Sequence, residues 1–186
     1  MFAGLDLAAS PRRCSGYALI GRGRRLLKLL CLRRDEEIVA ELGADSPVIV
    51  AVDAPLSMPQ RGAFREVDRL LIARGGRVLP PVFKGMARLV ERAQRLVGRL
   101  KAMGLRIVET HPMSALRLSG CPNALRLAEE LGIGYSGFET VLRSGPKDLV
   151  DAFISAVVAM CVEEGCSLSV KGADGEIVVL RRVCRR

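Results

Sequence analysis

Four aspartates stand where their carboxylates could act as one group. Asp6 interrupts a short apolar run near the start of the chain, and Asp53 directly follows the apolar residues 48–52. Asp148 and Asp151 are three residues apart, a spacing that places two side chains on one face of a helix. An ionised carboxylate beside buried apolar strands is costly unless a partner compensates it. We therefore predict that the four carboxylates converge.

Converging carboxylates indicate metal chemistry. Such a cluster repels itself unless cations neutralise it, and hard oxygen atoms select Mg²⁺ or Mn²⁺. Two such ions roughly 3.5–4 Å apart can activate water and stabilise the leaving oxygen of a phosphodiester. We predict Asp6, Asp53, Asp148 and Asp151 as metal ligands and as catalytic residues. Taken singly, Asp148 could instead complement a helix dipole, and Asp6 or Asp53 could make turn hydrogen bonds.

Glu109 and His111 form a second candidate pair for the same site. Glu109 ends a predicted strand at residues 105–109, and His111 is the only histidine of the chain. Either side chain could support the metal ligands, and His111 could carry protons at neutral pH. A lone histidine is also often structural, so both interpretations stay open at this point.

The positive charge is concentrated in one segment. Residues 54–108 carry twelve basic and three acidic side chains, a difference of +9 that equals the net charge of the whole chain. Spacings of four, three and four predict a basic stripe along one helix between residues 88 and 99. Such a surface could contact nucleic-acid phosphates without reading sequence, although single arginines can simply flank a buried face. The nucleic-acid-binding candidates are Arg65, Arg69, Arg88, Arg92, Arg95 and Arg99.

The order of predicted elements favours an α/β fold of the RNase H type. Residues 2–32 suggest three antiparallel strands, and residues 48–52 are typical of a strand buried on both faces. A basic, partly helical insertion is predicted at about residues 55–85. The run at 146–164 predicts a helix that is apolar nearly all round and packs on the sheet. We predict a mixed sheet of five strands, three antiparallel and then parallel, with helices on both faces.

Length and composition narrow the class of protein. A chain of 186 residues suits one domain, spanning residues 1–186. The chain contains no run of about 18 apolar residues, the length needed to span a membrane. We expect a cytoplasmic protein. The six cysteines contain no C-x-x-C pair, so we expect reduced thiols rather than a zinc site. The excess of arginine over lysine hints at a thermophilic source, in which an intracellular disulfide could form.

The motifs around these acids resemble a known family. The chain is similar to the domain of unknown function 429 family, and more remotely to RuvC-like resolvases. The motifs are Gly4-Leu5-Asp6, Val52-Asp53-Ala54-Pro55-Leu56, Arg65-Glu66-Val67-Asp68-Arg69, Glu109-Thr110-His111-Pro112 and Lys147-Asp148-Leu149-Val150-Asp151-Ala152. The resemblance implies a metal-dependent nuclease of RNase H-like fold, with acids on the first strand, on a later strand end and twice on the last long helix. Junction-cleaving relatives commonly dimerise, so a homodimer is possible.

Three functions fit the residues. The first is a Mg²⁺- or Mn²⁺-dependent nuclease. The second is an ATP-binding phosphotransfer domain of the actin-like or sugar-kinase type, although residues 8–11 make a poor phosphate loop. The third is a nucleic-acid-binding protein that keeps the fold without the chemistry. The substrate, whether DNA, RNA, hybrid or branched, stays open, because the same arginines would contact the phosphates of each.

Overall fold

A computed structural model describes residues 1–184. Within them, seven strands form one sheet in the order β3-β2-β1-β4-β5-β7-β6. The strands are β1 (Phe2–Asp6), β2 (Ser15–Ile20), β3 (Leu26–Leu32), β4 (Ile49–Asp53), β5 (Arg106–Thr110), β6 (Ser167–Gly172) and β7 (Gly175–Leu180). The helices are α1 (Asp35–Asp45), α2 (Glu66–Ala73), α3 (Lys84–Ala102), α4 (Pro112–Ser119), α5 (Ala124–Glu130), α6 (Glu139–Ser144) and α7 (Lys147–Glu164).

The sheet is mixed, as the predicted RNase H-like fold requires. Strands β1, β2 and β3 form the antiparallel part, and β4 and β5 extend it in parallel with β1. The predicted number of five strands is wrong, because the C-terminal segment adds a hairpin of two strands to the five that precede it. In that hairpin β7 runs parallel to β5 and β6 runs antiparallel to β7. Strand β6 lies at the edge of the sheet and alternates polar and apolar residues, a pattern typical of a half-buried strand that the prediction overlooked.

Helices cover both faces of the sheet, as predicted. Helices α1, α2 and α3 pack on one face, while α7 packs on the other together with α4 and α5. Strand β4 contributes Val50 and Val52 to the core beneath α1 and α3, and Ile49 and Ala51 to the core beneath α7. Because successive residues of β4 point to opposite faces and both faces are buried, every position of the strand before Asp53 is apolar.

The long helix α7 lies unusually close to the sheet. Its residues 151–161 are all buried, as the apolar sequence predicted. Gly4 on β1 and Gly16 on β2 allow the approach, since a Cβ atom on either would overlap the α7 backbone at Ala152 and Asp148 respectively. The helix can therefore present its first two turns directly to the ends of β1 and β2.

All six cysteines are paired, so the expectation of reduced thiols is wrong. The disulfides are Cys14–Cys31, Cys121–Cys184 and Cys161–Cys166. Their Cα atoms lie 5.2, 5.1 and 4.6 Å apart, within the usual range for disulfides. The partners are 17, 63 and 5 residues apart, so Cys161–Cys166 closes a local turn at the end of α7, whereas Cys121–Cys184 joins distant segments. Among residues 1–184, no helix has both the length and the apolar composition needed to cross a membrane.

Candidate metal centre

Asp6 and Asp53 are the last residues of two neighbouring parallel strands. The strands β1 and β4 pair in register, so that Asp6 lies directly beside Asp53. Alternate residues of a strand share a face, and Gly4 contacts α7, so both aspartates point toward that helix. The pairing explains why two acids 47 positions apart in the sequence meet at one sheet edge.

Helix α7 supplies the third carboxylate. Asp151 lies one turn into the helix and is 1% exposed. Carboxylate oxygens of Asp6, Asp53 and Asp151 all lie within 4.8 Å of one another. Ligands of one Mg²⁺ ion with bonds of about 2.1 Å lie roughly 3–4 Å apart, so a small adjustment would let all three bind one ion. This donor set therefore fits a hard divalent cation.

Burial and mutual repulsion disfavour the charged state of this cluster. Burial, followed by the charge of Asp151, raises the pKa of Asp6 to about 7. Burial and the charge of Asp6 raise the pKa of Asp53 well above its ordinary value. Burial also raises the pKa of Asp151, although Lys147 opposes that change. Raised carboxyl pKa values in a cleft are typical of a functional site, because a bound cation would compensate the charge.

Lys147 is a member of this site that sequence reasoning missed. Its ammonium group pairs with the Asp151 carboxylate one helical turn away. Burial lowers the pKa of Lys147, but the bond to Asp151 and the charges of Asp6 and Asp53 outweigh it and raise the pKa above its ordinary value. The spacing of four from Asp151 was the available signal, because such residues are neighbours on a helix.

Asp148 lies beside the cluster rather than in it. It belongs to the first turn of α7, and its backbone carbonyl packs against Gly16. Its side chain lines a separate hollow of about 210 Å³, together with Asp6, Lys147 and Arg13. Its charge still raises the pKa of Asp6. The predicted convergence of four aspartates is thus correct for three, and Asp148 stays a candidate only through its electrostatic effect.

Glu109 is turned away from the aspartates by strand register. On β5, Thr110 pairs with Asp53 and Glu109 pairs with Val52, so Glu109 points to the opposite face of the sheet. There it accepts two hydrogen bonds from the Arg65 guanidinium, at 2.5 and 3.0 Å. It also accepts one from the backbone N–H of Leu56 at 2.9 Å. The structure therefore places Glu109 as a support of the neighbouring loop, not as a direct partner of the carboxylates.

Arg65 was predicted to contact nucleic acid, and its burial contradicts that prediction. It is 1% exposed and binds Glu109 on β5 and Asp68 on α2 at the same time. Ser57 accepts a further hydrogen bond from it at 3.1 Å. Arg65 fixes the insertion between β4 and α3 onto the sheet. Its bonds to Asp68 and Ser57 lie within the insertion, and its bonds to Glu109 connect the insertion to β5. Arg69 lies on the exposed side of α2 and remains available to a ligand.

His111 caps a helix beside the aspartates. Its Nδ1 atom accepts a hydrogen bond from the backbone N–H of Ser114, at the start of α4. Burial, and then the charge of Lys147, lower the pKa of His111 to about 4. The ring is therefore neutral near pH 7, and its role in moving protons stays a prediction. It still lines the cleft beside Asp53.

The arginine stripe on α3 has three exposed members and one buried member. Arg88, Arg95 and Arg99 are exposed. Arg92 is 3% exposed and pairs with Asp35 at 2.7 Å. It also donates hydrogen bonds to the carbonyl oxygens of Ala8 and Arg33, at 2.6 and 2.8 Å. The prediction that Arg92 binds nucleic acid is wrong, because its donors fasten the loop that follows Asp6.

A cleft of about 200 Å³ opens over the aspartates. Its polar lining includes Asp6, Asp53, Lys147 and His111, and the ion-paired Arg65, Asp68 and Glu109 also border it. The insertion and the start of α3 form the apolar wall, from Val78, Leu79, Met86 and Leu89. An apolar wall facing charged groups reduces their access to water and strengthens the electrostatic interactions between them.

Known structures share this fold. A structure of Thermus thermophilus RuvC matches with a TM-score of 0.51 and 16% identity, covering 88% of this chain and 95% of that chain. RuvC from T. thermophilus in complex with a Holliday junction substrate matches with a TM-score of 0.50 and 18% identity, covering 88% and 94%. No family model and no curated protein matches the chain, so the resemblance to the domain of unknown function 429 family has no support from a family model. The chain shares the RNase H-like fold of RuvC, and its three converging aspartates lie at the ends of β1 and β4 and in the second turn of α7.

Proposed function

We propose that this protein is a divalent-metal-dependent nuclease that hydrolyses phosphodiester bonds of nucleic acid. The observation that carries the proposal is the convergence of Asp6, Asp53 and Asp151 within 4.8 Å of one another, inside a fold shared with RuvC. The two strand-end acids and the helix acid would hold Mg²⁺ or Mn²⁺. The resemblance of the surrounding motifs to a family of predicted nucleases supports the same function.

Each part of the site has a distinct task in this reaction. A bound divalent ion supplies the charge that activates water and stabilises the leaving oxygen. Asp6 and Asp53 are held rigidly by paired strands, which fixes where that charge lies. Lys147 and Arg13 border the carboxylates and can bind non-bridging oxygens of the phosphate. The apolar wall at Leu79 and Leu89 limits the access of bulk water.

The substrate surface would extend from the cleft along the exposed basic residues. Arg69 on α2 and Arg88, Arg95 and Arg99 on α3 are exposed and would contact phosphates. Such contacts give affinity without sequence preference and weaken with salt. A four-way DNA junction is the first substrate to test, because a structural neighbour is described with a Holliday junction substrate. We further propose a cytoplasmic location and a homodimer, which would place two cleavage sites on one junction.

Cleavage assays test the proposed function. The purified protein is incubated with single-stranded, duplex, RNA–DNA hybrid and junction substrates in Mg²⁺ or Mn²⁺. We expect cleavage of at least one substrate, which EDTA stops and Asp53→Asn abolishes. Glu139→Gln is the control, since Glu139 is an exposed acid on α6 that lines no part of the cleft. If wild-type protein cleaves none of these substrates with either metal, the nuclease proposal fails.

A further inference from the structure

Lys147 is a positive charge placed against a metal-binding set of carboxylates. Its partner Asp151 has a side chain that is 2% exposed, whereas the Lys147 side chain is 70% exposed. The acid is fixed in the protein, and the lysine reaches it from the surface. A four-carbon stem lets the ammonium leave toward water without any backbone movement.

The same carboxylate is needed by two cations. Asp151 is one of the three acids that can hold a divalent ion, and in the structure it accepts a hydrogen bond from Lys147. Within residues 1–184, no hydrogen-bond donor or ion-pair partner contacts the carboxylates of Asp6 or Asp53. Lys147 is thus the cation in direct contact with the described cluster, while Arg13 acts on Asp6 from a greater distance.

We propose that Lys147 is a tethered counter-cation, which holds Asp151 in the metal-free protein and competes with the divalent ion for that carboxylate. The inference rests on the proposed metal site and adds a role that the proposal does not require. It makes metal binding weaker than the three acids alone would allow, and so sets the metal concentration at which the site fills.

The size of the effect follows from simple electrostatics. A single and a double positive charge about 5 Å apart repel each other enough, even with water-like screening, to weaken binding about tenfold. Removing the lysine charge should therefore tighten metal binding by at least about tenfold. Keeping the charge in another side chain should preserve the weaker binding.

Calorimetric titration with Mn²⁺ measures this directly. The titrations use full-length wild type, Lys147→Met and Lys147→Arg at about pH 8, where Asp6 is mostly ionised. Methionine keeps an unbranched side chain without the charge. Lys101→Met is the matched control, because it removes an exposed lysine about 18 Å along α3 from Leu89 at the cleft. Circular dichroism establishes that each variant is folded.

The outcomes separate this inference from the proposed function. We expect Lys147→Met to bind Mn²⁺ at least about tenfold more tightly than wild type, with Lys147→Arg and Lys101→Met close to wild type. If Lys147→Met binds Mn²⁺ as tightly as wild type or more weakly, the proposed role of Lys147 is overturned. The metal site still stands in that case if wild type binds Mn²⁺ and the Asp6→Asn variant does not. If the wild type binds no Mn²⁺, both the metal site and the inference fail.

Discussion

Replacing Asp6 with asparagine should stabilise the metal-free protein, although it destroys a predicted metal ligand. Burial and the charge of Asp151 raise the pKa of Asp6 from an ordinary 3.8 to about 7. That difference corresponds to about 4 kcal/mol of lost stability above pH 7. Asparagine has nearly the same shape and no charge. Because neighbouring groups share part of this cost, we expect Asp6→Asn to raise the free energy of unfolding by about 2–4 kcal/mol at pH 8.

The pH dependence fixes the sign of this effect. A raised carboxyl pKa means that the folded state binds the proton more tightly than the unfolded state. The contribution of Asp6 therefore becomes steadily less favourable as pH rises from about 4 to about 7, and stays constant above. The advantage of Asp6→Asn should shrink to about half at pH 5 and nearly vanish at pH 4.

Urea unfolding in EDTA at pH 4, 5 and 8 tests this prediction. Thermal unfolding is a second measurement of the same effect, since for a protein of this size 2 kcal/mol corresponds to a rise of about 4–8 °C in Tm. Glu139→Gln is the control and should change the stability little at any of these pH values, since Glu139 is exposed on α6 and lines no part of the cleft. The reasoning is refuted if Asp6→Asn is no more stable than wild type at pH 8, or if its advantage is the same at pH 4.

Further substitutions test the packing and the basic surface. Gly16→Ala should cost more than about 2 kcal/mol of stability in urea unfolding, because the new methyl group overlaps α7, whereas Gly98→Ala on the open side of α3 should gain about 0.5–1 kcal/mol. Arg92→Ala should cost about 2 kcal/mol, because it empties a buried position and leaves the partly buried Ala8 carbonyl and Asp35 carboxylate without a partner. Arg95→Ala should leave the unfolding curve unchanged, weaken DNA binding, and reduce the salt dependence of that binding by about one phosphate contact. If Arg92→Ala and Arg95→Ala are equally stable, the assignment of Arg92 as the buried residue and Arg95 as an exposed residue of the α3 arginine stripe is contradicted.

Sequence patterns predicted the parts of the site that depend on element ends. The run before Asp53 had to be a buried strand, and the apolar helix after Asp151 had to lie against the sheet. Both were predictable because burial of an element is visible in its own composition. The RNase H-like order of elements followed from the same patterns, and the neighbouring RuvC structures confirm it.

The features that escaped prediction depend on contacts between distant segments. Glu109 also ends an apolar strand, yet a difference of one residue in the β4–β5 register turns it to the other face. Arg92 has the same helical spacing as Arg88 and Arg95, and only the loop carbonyls around it reveal its burial. The Cys121–Cys184 disulfide likewise joins segments 63 residues apart.

Anomalous diffraction from crystals soaked in Mn²⁺ tests the central claim most directly. The account predicts an anomalous peak at coordination distance, about 2.0–2.6 Å, from carboxylate oxygens of Asp6, Asp53 and Asp151, with the Lys147 ammonium displaced from Asp151. The absence of a peak at these three residues, with manganese bound elsewhere or not at all, would contradict the account.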